Sequence, residues 1–132
     1  LHVRSRRQRQ MCIRDRHRTR ADYADVLGRA VHCVMDRPLG SRHPRYPDML
    51  YPVNYGCVPG VMAGDGAEQD VYVLGPTAPL ETFDGVVIAV IHRFDDCEDK
   101  WVVAAPGARY TAEEIRAAVA FQEKYYRSEI LL

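Results

Sequence analysis

The sequence predicts a mainly β, α+β fold: a compact, mostly antiparallel barrel with a single helix appended late in the chain. Two observations carry this. Short Val- and Ile-rich runs follow one another at close spacing, separated by Gly, Pro and acidic clusters, and only one segment, near the C-terminus, has a helical period. The 132 residues suffice for one hydrophobic core, and 47% apolar with 27% charged residues is the composition of a soluble globular domain.

Residues 31–36 read as a first strand, stopped by Pro38 and Gly40. His43-Pro44, Tyr46-Pro47 and Tyr51-Pro52 push the residue before each proline out of helical geometry, so 41–48 is expected to be an irregular surface loop. Residues 70–74 form a second strand. A third covers 85–94, and its unbroken apolar stretch implies burial on both faces; a fourth covers 100–104. The period then changes: Thr111 and Glu114 make a capping box, and Ile115, Val119, Gln122 and Tyr126 recur at helical spacing.

The zero net charge hides an asymmetry, because the first twenty residues carry eight Arg against one Asp and the remainder is correspondingly acidic. A basic arm of this kind ordinarily reads as a nucleic-acid tail. Here the run from Arg6 to Asp15 resembles the translation of a sequencing-library adapter. Residues 1–22 are therefore expected to be a non-native or disordered basic extension, with the domain proper over 23–132 and no nucleic-acid partner. No apolar run approaches the roughly 20 residues of a membrane span, and the N-terminus lacks the apolar stretch of a signal peptide. Cys33, Cys57 and Cys97 have no C-x-x-C spacing, which points to buried or half-buried thiols in an intracellular protein.

Carboxylates cluster at two strand ends: Asp65 and Asp70 around Gly64-Asp65-Gly66, and Asp95, Asp96, Glu98 and Asp99 between the third and fourth strands. Oxygen donors without ligand-spaced His or Cys suit a hard cation such as Mg2+, whereas either cluster alone also reads as a solvated acidic turn. The glycine position and missing ligand alternation argue against an EF-hand. Arg42, Arg45, Lys100, Lys124 and Arg127 are candidate phosphate contacts, and Tyr51, Tyr55 and Tyr125 can donate to phosphoryl oxygens. With a metal they would form a site for phosphoryl transfer to water. No P-loop, dinucleotide fingerprint or nucleophile elbow is present, and His92, at the end of an apolar strand, reads as a structural imidazole.

The ordered succession Tyr51-Pro52-Val53-Asn54-Tyr55-Gly56, Pro59-Gly60, Asp65-Gly66, Asp70-Val71-Tyr72-Val73-Leu74 and Asp95 to Val103 resembles the family I soluble inorganic pyrophosphatases over about 31–126. The resemblance implies a five-stranded OB-like barrel with a C-terminal α-helix, hydrolysis of diphosphate with several Mg2+ ions, a cytoplasmic location and a homo-oligomer. It also assigns roles. Asp65 and Asp70 match the outer carboxylates of the D-G-D-P-x-D metal motif. Asp95, with Asp96 as alternate, matches the first carboxylate of the second metal cluster, and Glu98 or Asp99 the second. Lys100 matches the lysine that closes that cluster. Tyr51, Tyr55 and Tyr125 match conserved-motif tyrosines of the family, and Arg45 stands in for an N-terminal phosphate-binding lysine.

The departures are specific. The family's middle aspartate falls at Ala67 and its following proline at Glu68, which leaves Glu68 as the carboxylate available to activate water. The lysine after the C-terminal tyrosine is Tyr126, with Lys124 and Arg127 as substitutes, and Asp36 is the nearest counterpart of the N-terminal metal-bound glutamate. The expectation is Mg2+-dependent diphosphate hydrolysis with Glu68, Lys100 and Tyr55 catalytic. A phosphohydrolase acting on another phosphate substrate and a non-catalytic phosphate- or metal-binding module are the alternatives.

Overall fold

The computed structural model describes residues 17–64, 66–95 and 98–132; Asp65, Asp96 and Cys97 lie outside the described residues. Strands β1 (Ala30–Arg37), β2 (Asn54–Met62), β3 (Glu68–Val73), β4 (Thr82–Arg93) and β5 (Asp99–Ala104) are followed by helix α1 (Ala112–Glu123) and a short β6 (Ser128–Leu131). The ring runs β1-β2-β3-β5-β4 and closes through β4 onto β1, with β6 added on β4. Among the described residues only β3 and β5 pair in parallel. This is the expected five-stranded OB-like barrel, mostly antiparallel, with a C-terminal helix.

The four strands read from sequence are present with ends displaced by up to three residues. β2 was hidden by its own composition, since Pro59 and Gly60 read as breakers. Its ladder with β3 is regular from Asn54 to Val58 and then irregular as far as Met62. Pro59 and Gly60, the latter at φ +83°, fall inside that irregularity, where a missing donor and a left-handed turn are tolerated. Gly56 is required by close approach, because a Cβ there would meet the Val34 carbonyl. The helix is shorter than the spacing predicted. It ends at Glu123 with Lys124 as C-cap, so Tyr126 lies beyond it, in the turn that leads into β6.

Two apolar layers result. Val31, Cys33, Met35, Val58, Val71, Val73, Val87, Val90, Trp101 and Val103 fill the barrel, whereas Tyr72, Leu74, Ala89, Ile91 and Val102 face outward under Ile115 and Val119 of α1. The capping box of Thr111 and Glu114 starts the helix as expected. Because α1 and β6 cover the outside of β4, residues 89–93 are buried on both faces, as their apolar run implied. Cys33 is buried and Cys57 half-buried. Among the described residues no helix is long and apolar enough to cross a membrane.

Candidate active site

Pairing of β3 with β5 places Val71 beside Trp101, and so sets Asp70 next to Lys100 at one end of the barrel. The Lys100 ammonium is 4% exposed and donates to Asp70 Oδ2 at 2.5 Å and Glu98 Oε1 at 2.6 Å. Its carboxylates are more open, with Asp70 at 27% and Glu98 at 13%. Burial by itself would lower the Lys100 pKa, but Tyr55, Asp70 and Glu98 outweigh it and hold the group above its ordinary value, so it is charged at neutral pH. Tyr55 lies with its ring 5.8 Å from Lys100 Nζ. Burial, only partly offset by Lys100, pushes its phenol up to about 12, which keeps it a neutral donor.

Side chains alternate along β5, and this separates Glu98 from Asp99. Asp99 is on the far side from Lys100. Its Oδ1 lies 2.9 Å from His92 Nδ1 and its Oδ2 accepts from Tyr23 Oη at 2.8 Å. Asp99, half-buried, is thus held by Tyr23 and His92, and His92, fully buried, is the structural imidazole the sequence indicated. Asp95 is also apart from Lys100. It sits exposed after β4, where its carboxylate accepts the Arg127 N–H at 3.2 Å, and the Arg127 guanidinium lies over Phe94 at 5.6 Å. Asp65 and Asp96 fall outside the described residues.

Glu68, adjacent to exposed Ala67, is turned back onto β2. Its carboxylate accepts from Gly60 N–H at 2.8 Å and from the Cys57 thiol at 3.7 Å. Cys57 is directly opposite Asp70 in the ladder, and its pKa rises to about 11, chiefly through burial and then through Asp36 and Glu68. Asp36 at the end of β1 is raised as well, by burial first and then by Asp70 and Glu68. Carboxylate charge is therefore concentrated on this side, although among the described residues no three donors already stand in a ligating arrangement.

The tyrosines occupy different stations. Tyr51 is fully buried, 5.6 Å from the Tyr55 ring, and donates to Gln122 Oε1 at 2.9 Å while accepting from Arg37 Nη1 at 3.2 Å. Tyr125 and Lys124 lie past α1, exposed, on a cavity of about 430 Å³ that Tyr46, Leu50 and Phe121 also line. Phe121 packs edge-on against Tyr51 at 5.1 Å and so links that cavity to the site. Arg45 is exposed in the loop before β2; Arg42 donates to the Pro47 carbonyl.

Sequence reasoning did not single out Arg37, His43 or the pair Arg93–Glu123. Glu123 joins Arg93 through Nε at 3.0 Å and Nη2 at 2.5 Å, both residues being 3% exposed. Tyr72 also donates to Glu123, at 2.6 Å, and the Arg93 guanidinium stacks on Tyr126 at 3.7 Å. A signal did exist: Glu123 continues the i, i+4 stripe of Ile115 and Val119, and Arg93 ends an apolar strand.

With this geometry established, comparison with known proteins is specific. The chain is 40% identical over 67 residues to an inorganic pyrophosphatase of Aeropyrum pernix, an alignment that takes in 48% of this chain and 38% of that protein. The chain thus matches well under half the length of that relative. The crystal structure of an inorganic pyrophosphatase from Neisseria gonorrhoeae superposes with TM-score 0.58 at 21% identity, over 84% of this chain and 80% of that one. That of Ehrlichia chaffeensis gives 0.60 at 16% identity, over 80% and 86%. At these identities the structures establish the barrel. The family model for inorganic pyrophosphatase matches residues 32–128, most of the chain, and the protein belongs to that family.

Proposed function

We propose that the chain hydrolyses inorganic diphosphate to two phosphates with the aid of a divalent cation, Mg2+. The observation that carries this reading is the buried, charged Lys100 held between two solvent-reaching carboxylates, Asp70 and Glu98, beside the neutral phenol of Tyr55. Structural ion pairs are normally closed off. This one is open on its acidic side, where a cation and a phosphate would enter together.

The donor chemistry fits a hard cation, since all the nearby carboxylates are oxygen ligands and Asp36 is already raised, by burial first and then by its acidic neighbours. Asp70 and Glu98 would hold it, with Asp65, Asp95, Asp96 and Asp99 proposed from the sequence. Of these, Asp99 would first have to leave His92 and Tyr23, and Asp95 the Arg127 amide. When bound, the cation neutralises phosphoryl charge and makes water more acidic. Lys100 then neutralises a phosphoryl oxygen in a water-poor setting, and Tyr55 donates a hydrogen bond without competing as an anion. Water adds to one phosphorus, the bridging P–O bond breaks, and the second phosphate leaves. Glu68 is proposed as the proton acceptor, which requires its release from Gly60 N–H. Arg45, Tyr51, Tyr125, Lys124 and Arg127 are proposed phosphate contacts; Tyr51, fully buried and bonded to Gln122 and Arg37, would act by positioning.

We further infer a cytoplasmic homo-oligomer with its domain proper over 23–132, to which the turn Arg20–Tyr23 and the Arg18 N–H, donating to Glu129 at 2.8 Å, are joined. The test of function is phosphate release from diphosphate by the full chain, with Mg2+ and with chelator. Chelator-sensitive release is expected; a folded protein silent with diphosphate but active on a nucleotide or phosphate ester would replace this reading. The tethering of Glu68 and the alanine at 67 favour one rival, a module that binds diphosphate and Mg2+ without turnover.

A further inference from the structure

Asp70 and Glu98 reach the same ammonium from two segments that are not paired with each other at that point. The parallel β3–β5 ladder begins with Val71 beside Trp101, so Asp70 and Lys100 stand one position before its first rung and Gln69 and Asp99 two. A lysine ammonium is a point charge with rotatable donors, and Lys100 therefore attracts both carboxylates without fixing the spacing of the backbones that carry them. Gln69 supplies that restraint. It is buried, and its Nε2 donates to the Asp99 carbonyl at 2.7 Å and to the Asp70 carbonyl at 3.1 Å. One amide nitrogen bears two hydrogens, so a single side chain ties the starts of β3 and β5 together beyond the ladder.

Asp99 is braced through its carboxylate as well. Oδ1 lies 2.9 Å from His92 Nδ1, and Oδ2 accepts from Tyr23 Oη at 2.8 Å. His92 faces Asp99 directly across the β4–β5 ladder, and Tyr23 arrives from the turn Arg20–Tyr23 with its ring packed into the apolar layer that fills the barrel. The residue next to Glu98 is thus held through its main chain by β3 and through its side chain by β4 and the N-terminal turn.

Mg2+ demands close to ideal octahedral geometry, which rewards ligands whose spacing is set before the ion arrives. We propose that Gln69 and Asp99, the latter braced by His92 and Tyr23, are positioning residues for the cation: they fix the start of β5 so that Glu98 and Asp70 meet at Lys100 with their spacing already set. This rests on the cation-assisted reading above and deepens it, since the resemblance leaves Glu98 and Asp99 open for one station and the proposal makes Glu98 the ligand and Asp99 its support.

The experiment measures Mg2+ binding to the full chain by calorimetry with no diphosphate present, alongside urea unfolding and the Mg2+ dependence of phosphate release. Gln69→Met keeps the length of the side chain and removes its donors. It is expected to weaken Mg2+ binding about ten- to a hundredfold, the range for losing a group that orients a metal ligand, and to shift half-maximal phosphate release to higher Mg2+ while changing the rate at saturation less. Asp99→Asn keeps an oxygen for the Tyr23 hydroxyl, so it should lose less Mg2+ affinity than Glu98→Gln, and Asp99→Leu should lose more than Asp99→Asn. Ile115→Val, a change in the layer under α1, should lower stability and leave Mg2+ binding as in the parent, which separates positioning from loss of stability. Parent-like Mg2+ affinity in a folded Gln69→Met protein, or a loss in Asp99→Asn as large as in Glu98→Gln, would overturn the proposal, as would an Mg2+ affinity that falls with stability in Ile115→Val too. If Gln69→Met does not fold, Tyr23→Phe decides: it removes one hydroxyl, should weaken Mg2+ binding, and counts against the bracing if it binds as the parent does. Mg2+ binding that depends on Gln69 in a chain that releases no phosphate from diphosphate would remove the hydrolase reading and leave the positioning intact.

Discussion

Lys100 and Arg93 are both cations buried in the same barrel, yet their surroundings differ in one decisive respect. Arg93 faces Glu123 in a two-point contact from which solvent is excluded on both sides, with Tyr72, Gln122 and Tyr126 packed around it. Lys100 is equally buried, but Asp70 and Glu98 keep edges in water. The closed pair fastens α1 and the turn behind it to the barrel. The open one leaves oxygen lone pairs available to an incoming cation and an ammonium available to the anion that accompanies it. The difference teaches that burial of a charge marks architecture when its partner is buried too, and chemistry when the partner reaches solvent.

The sharpest way to break the comparison is to remove one member of each pair. Glu123→Ala should destabilise the protein by about 3–5 kcal/mol, because it takes the two-point carboxylate contact from a buried guanidinium, and urea unfolding measures this. A loss below about 1 kcal/mol would show that Arg93 is not held by this pair. Asp70→Asn should leave unfolding nearly unchanged while lowering Mg2+-dependent phosphate release about a hundredfold or more, in the range found for deleting one electrostatic contact to a transition state. Full activity in that variant would remove Asp70 from the site. Ala67→Asp sharpens the comparison from the other direction. A carboxylate at 67, three residues before Asp70, should raise turnover about a hundredfold, the low end for a positioned acid or base, as measured by initial rates at saturating Mg2+. No change would leave Glu68 as the working substitute.

The smallest expected effect concerns the loop over Tyr51. His43 has its pKa lowered by burial first and then by Arg37 and Arg45, so the folded state prefers the neutral ring. Its contribution to stability is then complete above the unfolded value of about 6.5 and is lost as pH falls through the lower folded value. Between pH 7.5 and 5 the parent should lose slightly more stability than His43→Asn in matched urea titrations. An equal or smaller loss would show that the imidazole is not held neutral by the Arg45 and Tyr46 amides.

Much of this was legible along the chain because it is local. The Thr111–Glu114 box starts α1, the prolines keep 41–48 out of regular structure, and the period-two Val runs lie where strands form. β2 was not legible as a strand from composition alone, since a tertiary bulge absorbs Pro59 and Gly60. The choice between Glu98 and Asp99 had a local clue in parity with Lys100. It was masked because Trp101, Val102, Val103 and Ala104 are all buried and show no alternation.

The sequence by itself determined the strand material, the helix start and the identity of the groups able to do chemistry, since propensity, capping and charge act over a few residues. The tertiary structure alone decided that β1 closes onto β4 and that Asp70 reaches Lys100 across thirty positions. It also decided that Arg93 meets its carboxylate 30 residues away, in Glu123. The reason is that a charge's chemistry depends on its partner, and the register of pairing between distant strands, which no local pattern encodes, selects that partner.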